Sequence, residues 1–282
     1  MTRIGRSQIA AMPWMLWRRQ VAAILRLELK KSLFSRRAWW IYILTLGPVL
    51  LTGLHTLFVG HSPEHTLAQD TMTYAGIFQV YYLRLGIFFG CVGIFSNLFR
   101  AEMLERTLHY YFMSPVRREV LAVSKYLAGL IAAIAFFAGS AALSYIFMCL
   151  HWGPVFQQYL FHGPGLAQFG WYTLTAALAC VGYGAVFLLT GVLYRNPMIP
   201  AAAVFVWENL NPFLPSLLKK FSVIFYLKSL CPVEIPGDLP LLAVLTEPTP
   251  AWLAIPGLLI VSALVLAYAA AKARKLEVSY SE

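Results

Sequence analysis

FGWYTLTAALACVGYGAVFLLTGVLY, residues 169–194, contains no Asp, Glu, Lys or Arg. At about 1.5 Å per residue, a helix of this length outreaches a hydrocarbon core of about 30 Å. The stretch lacks the alternation of a barrel strand, and lipid satisfies no backbone group, so a membrane-crossing helix is predicted. Five further stretches share this character: 39–60, 74–99, 126–150, 197–215 and 251–271. Together they predict an all-α integral membrane protein with six transmembrane helices.

Composition agrees. Of 282 residues, 60% are hydrophobic and only 12% charged, against about 25% charged in an ordinary soluble domain. Mean hydropathy is +0.67. A secreted, disordered or nucleic-acid-binding protein is excluded on these grounds. The net charge of +10 then reads as basic residues flanking spans rather than as a nucleic-acid surface. Nine Lys and Arg residues precede Trp39, and the first apolar run is too late and too long for a cleavable signal, so the amino terminus is expected to be retained. Cys91, Cys149 and Cys180 lie within apolar runs and Cys231 in a loop, which offers neither a disulfide framework nor a metal knuckle.

Counting bases in alternate loops sets the orientation. With the amino terminus inside, 18 of the 22 Lys and Arg residues fall on the cytoplasmic side, from Arg3 to Lys275. The outer pieces hold Lys219, Lys220 and Lys228 with five acids, and Arg84 lies inside the second span. Both termini are predicted cytoplasmic. Ahead of the first span, Trp14, Trp17, Val21, Ile24 and Leu25 share one arc of a helix and Arg19, Arg26 and Lys30 the opposite arc, as in a helix lying on the inner surface in contact with membrane lipids. A generic basic anchor that only sets topology fits the same composition. Glu28 falls within the apolar arc and leaves it imperfect. Residues 216–231 are apolar, carry three lysines and are too short to cross, so a re-entrant or interfacial helix on the outer side is expected, within an outer segment 216–250.

The most informative segment is RAEMLERTLHYYFMSPVRREVLAVSK, residues 100–125. Glu102 and Arg106 are four apart and pair on one helical face, while Leu104, Leu108 and Tyr111 line another. The first helix is predicted to stop near Met113. Ser114 then supplies an N-cap and Pro115 a first helical position for a second helix. The result is a charged elbow between two spans.

These residues resemble the type-2 ABC exporter permeases. The pattern is Glu105-Arg106-Thr107-Leu108, then Ser114-Pro115-Val116-Arg117-Arg118, then Lys125-Tyr126. Arg26-Leu27-Glu28-Leu29 with Ser35-Arg36-Arg37 is similar to the family's connecting helix. A third likeness is Trp207-Glu208, Asn211-Pro212-Phe213-Leu214-Pro215 and Tyr226-Leu227-Lys228-Ser229-Leu230. The resemblance implies a cytoplasmic connecting helix in 1–38 and a permease domain in 39–282, working as a homo- or heterodimer in a bacterial plasma membrane. It makes the elbow 100–118 a coupling helix that docks on a separate ATPase subunit. By that implication Glu28, Glu102, Glu105, Arg106, Thr107, Leu108, Arg117 and Arg118 carry the coupling. No GxxxxGK[ST] phosphate loop occurs, so ATP and Mg are expected on the partner, with no cofactor on this chain and no enzymatic activity of its own.

Two ionisable residues fall inside spans, at a cost of about 2.5 to 3.5 kcal/mol each on insertion scales. Arg84 is ten residues past Tyr74 and Glu208 eleven past Pro197, so both sit about 15 Å deep from opposite faces. A pair within or across protomers that borders the translocation path is one reading. A purely structural pair, or two groups satisfied separately by backbone and water, is another. An ATP-independent channel or secondary carrier that uses Arg84 and Glu208 is the competing function; a membrane enzyme lacks a convergent polar cluster. Lesser signals are His61, Glu64 and His65, where the proline of HSPEH disfavours a metal site; a GxxxG at Gly86 and Gly90, equally suited to packing within one protomer or between two; and Trp152, Trp171, Tyr172 and Trp252, which suit interfacial belts.

Overall fold

A computed structural model of the chain describes residues 13–34, 39–58, 66–104, 118–194, 196–235 and 249–274. Among the described residues every regular element is helical, and no strand is present. Helix α1 (Pro13–Phe34) precedes α2 (Trp39–Phe58). Next comes a continuous rod formed by α3 (Leu67–Gly76), a π-helix (Ile77–Gly86) and α4 (Ile87–Leu104). Helix α5 (Arg118–Leu150) is followed by a short α6 (Pro154–His162) and by α7 (Gly165–Leu193). The chain then passes through α8 (Met198–Leu210), a 3-10 turn (Asn211–Phe213), α9 (Ser216–Lys219), α10 (Val223–Lys228) and α11 (Ala251–Arg274).

Five of these elements are long and apolar enough to cross a membrane: Trp39–Phe58, Leu67–Leu98, Val120–Leu150, Gly165–Leu193 and Ala251–Ala273. The chain is a multi-pass membrane protein. The stretch 197–215, expected as a sixth continuous span, instead yields α8 of 13 residues, about 20 Å long at about 1.5 Å per residue. Pro212 has no amide hydrogen to continue the ladder and Pro215 is extended, so the α-helix gives way to the 3-10 turn. Residues 216–231, expected as one re-entrant or interfacial helix, form the two short helices α9 and α10.

Helix α7, the quoted stretch, is the axis of the bundle. It packs against α4, α5 and α11, while α2 and α1 lie against α5. Small residues permit that centrality. A Cβ on Gly191 would stand 2.7 Å from the backbone oxygen of Ser96, so α7 and α4 touch backbone to backbone there. On Gly182 it would stand 2.7 Å from Val223 of α10, which places the start of α10 deep beside the middle of α7. A Cβ on Gly90 would overlap the Phe137 ring. That half of the GxxxG pattern therefore serves α4–α5 packing inside one protomer.

Local chemistry explains the element ends. Thr66 caps α3 reciprocally: its hydroxyl accepts from the Gln69 amide and its own amide donates to Gln69 Oε1. Gly153, at φ +50°, turns the chain ahead of Pro154 at the first position of α6. A buried aromatic cluster of Tyr74, Phe78, Tyr145 and Tyr172 fixes the rod against α5 and α7. Tyr172, expected in an interfacial belt, belongs to this core; its ring is worth more against Tyr74 at 4.9 Å than at a lipid headgroup. Trp252 is 75% exposed.

Candidate functional site

Three polar centres are built into the apolar bundle. The first lies just inside the elbow. Ile24 and Glu28 are one turn apart on α1 and both face α5, so Glu28 belongs to the buried stripe that it seemed to interrupt. Lys125, fully buried on α5, donates to Glu28 Oε1 at 2.6 Å and to the backbone oxygen of Leu98 at 2.9 Å. One ammonium thus ties α1, α4 and α5 together. A buried charge without such partners would be shed, which is why the two residues must be read jointly.

The elbow itself lies outside the described residues from 105 to 117. Glu105, Arg106, Thr107, Leu108 and Arg117 fall there. Glu102 and Arg118 belong to the helical ends of α4 and α5 at the level of the backbone. Of the coupling residues expected from sequence, Glu28 alone has described side-chain contacts. Lys125, quoted there only as part of a motif, supplies the other half of its ion pair.

The second centre surrounds Glu208, close to the buried end of α8. Its Oε2 accepts from the Ser222 hydroxyl at 2.8 Å, the Ile224 amide at 2.8 Å and the Tyr183 hydroxyl at 3.3 Å, and its Oε1 accepts from the Val223 amide at 3.0 Å. The carboxylate therefore caps the first turn of α10, where amides have no partner inside the helix. Arg84 is not among its donors. Tyr183, which donates to Glu208, lies within electrostatic reach of Arg84. Glu208 is 8% exposed, so it points into the protomer and holds the start of α10 in place.

The neighbouring π-helix directs Gln79, Tyr81 and Tyr82 to three other parts of the chain. Gln79 donates to the Val233 oxygen at 2.9 Å, Tyr81 to the Leu44 oxygen at 2.8 Å, and Tyr82 shares hydrogen bonds with Ser140 and Ser144 at 2.7 and 2.8 Å. π-Helical turns concentrate at functional sites. Here the π-helix holds α2, α5 and the segment after α10 around one stretch of the rod that carries Arg84. Beyond α10, the half-buried Cys231 thiol is pushed up to about 12 by burial, with Lys228 pulling the other way.

The third centre sits at the helix ends opposite the elbow, where Asp70 is fully buried. His55 Nε2 lies 3.1 Å from Asp70 Oδ1, His151 Nε2 3.2 Å from Oδ2, and Trp152 Nε1 donates to Oδ2 at 2.7 Å. The sequence offers little to find it: Asp70 reads as an ordinary first-turn acid after the Thr66 cap, and its histidines come from distant stretches. Trp152, expected as a belt residue, is instead a donor to this carboxylate. The segment with His61, Glu64 and His65 lies outside the described residues. Among the described residues, no group of His, Cys, Asp or Glu is arranged to hold a metal ion.

No curated protein matches the chain. Residues 24–210 match the family described as ABC-2 family transporter protein, a stretch that begins inside α1 with the Glu28 arc and ends with α8. The buried junction of Glu28 and Lys125, helices α2 to α7 and the Glu208 carboxylate fall within that match, and the chain belongs to the ABC-2 transporter family as a membrane permease of an ABC transporter.

Proposed function

We propose that this permease is the membrane half of an exporter that dimerises and is driven by a separate ATPase subunit docked on the elbow 100–118. The observation that carries the reading is the Lys125 junction. An elbow that moves must pass its motion to the spans, and Lys125 stands directly after it, bonded to both α1 and α4. Glu102, Glu105, Arg106, Thr107, Leu108, Arg117 and Arg118 would make the docking surface, and Glu28 would carry the displacement to α1. ATP and Mg belong to the partner, since this sequence has no phosphate loop. The charge distribution supports cytoplasmic termini, and the family resemblance a bacterial plasma membrane. Glu208 is occupied by its four donors, which weighs against a carrier that shuttles protons through it.

The test is to extract the native protein in mild detergent, identify what copurifies in stoichiometric amount, and assay vanadate-sensitive ATP hydrolysis. A near-equimolar ATPase that is lost from a Glu105→Ala/Arg106→Ala variant is the expected result. An oligomer of this chain alone, without ATPase, overturns the reading.

A further inference from the structure

At the face opposite the elbow, one buried carboxylate gathers groups from α2, α3 and the turn that closes α5: His55, Asp70, His151 and Trp152. The two imidazole rings lie 6.1 Å apart. Other titratable groups packed close by are the Cys149 thiol, within electrostatic reach of Asp70, and the phenols of Tyr74, Tyr145 and Tyr159 around that thiol. Thiols and phenols ordinarily titrate above pH 8, whereas histidine changes charge between pH 5 and 8. Asp70 is the carboxylate of the cluster among the described residues, and a proton on His55 or His151 sets a cation against it.

We propose that this cluster is a proton-sensitive latch: a proton on one imidazole draws the ends of α2, α3 and α5 together on Asp70, and its loss at higher pH frees them to part when this face opens. The two histidines share one carboxylate, so the proton belongs to the cluster rather than to either ring. Burial removes the water that would otherwise screen the attraction. The regulatory half of the proposal rests on the ATPase-driven reading above; the latch itself does not.

The first experiment is thermal unfolding of the full chain in nanodiscs from pH 5.5 to 8.5. The wild-type midpoint is expected to fall by about 2 to 4 °C across this range, the shift that about 1 kcal/mol produces in a protein of this order of size. His55→Gln/His151→Gln keeps neutral donors on Asp70 and is expected to flatten the profile while matching wild type at pH 8.5. A His162→Gln control, at an exposed histidine outside the cluster, is expected to keep the wild-type slope. A double latch variant with an unchanged slope, or a flat wild-type profile, overturns the latch. The second experiment uses proteoliposomes of the copurified complex, with ATP-side pH fixed and latch-side pH stepped from 8 to 5.5. At least a twofold change in ATPase rate that the latch variant loses supports regulation. A sloping thermal profile with unchanged turnover reduces the cluster to a brace and overturns the regulatory half. Absence of any ATPase overturns the permease-coupling reading instead, and leaves the thermal arm to judge the latch.

Discussion

Lys125 and Glu28, 97 residues apart in sequence, form a buried ion pair at 2.6 Å, and the same ammonium reaches the Leu98 oxygen. The junction joins α1, the α4 end of the rod and the start of α5. Its partners are withdrawn from solvent, so each depends on the other for its charge.

Removing either partner should therefore be far worse than removing both. Lys125→Met and Glu28→Met are each expected to cost about 3 to 5 kcal/mol by stranding a buried charge, and the double Met variant to recover most of that loss. Denaturant unfolding in detergent micelles checks the cycle. Additive losses would mean that the two side chains do not depend on each other.

The Glu208 cap gives a second expectation. Glu208→Gln keeps one acceptor and loses the charge, for about 1.5 to 3 kcal/mol, while Glu208→Ala strands the amides of Val223 and Ile224 and costs more. The exchange Arg84→Glu with Glu208→Arg should restore neither, because an arginine at 208 would face donors only. Unfolding and protease cleavage within 211–231 report the outcome. Recovery in the exchanged variant would reinstate a direct pair.

Burial and the elevated titration of Cys231 predict slow alkylation. With its thiol near 12, only about one molecule in ten thousand carries a thiolate at pH 8, against about a quarter at an ordinary value near 8.5. Maleimide labelling should rise about tenfold per pH unit from 7 to 10 without reaching a plateau. A plateau by pH 9 would contradict the buried thiol.

Close backbone approach makes Gly191 intolerant. Gly191→Ala places a methyl against the Ser96 backbone and is expected to cost about 1 to 3 kcal/mol, whereas Gly170→Ala, on the same helix with nothing within 4 Å, should be neutral or slightly stabilising. Parallel melting curves separate the two. Equal effects would place the α4–α7 contact elsewhere.

Long charge-free runs such as 169–194 were legible because lipid leaves helices as their solution. The helical state of the amino-terminal segment was legible too, and the one irregularity of its apolar arc, Glu28, marked the residue with the most specific partner. Residues 197–215 misled because hydropathy sums over a window and does not register that Pro212 and Pro215 end a helix. Counting along the spans sets Arg84 and Glu208 at similar depth, yet depth alone omits what else lies there. Glu208 found two amides at the start of α10, and backbone donors leave no trace in a hydropathy plot. Asp70 and its histidines were invisible for the same reason that Lys125 was incomplete: their partners are distant in sequence, and one chain read alone carries no sign of which distant residues meet.

The ion pair of Lys125 also imposes an order on biosynthesis. Glu28 leaves the ribosome 97 residues before its partner, an interval of about 5 to 20 seconds at about 5 to 20 residues per second. During that delay Glu28 has no Lys125 to pair with, and the amino-terminal helix lacks the α5 surface on which it packs. Docking follows only once α4 and α5 are both in the bilayer, so the first helix made is among the last to be seated.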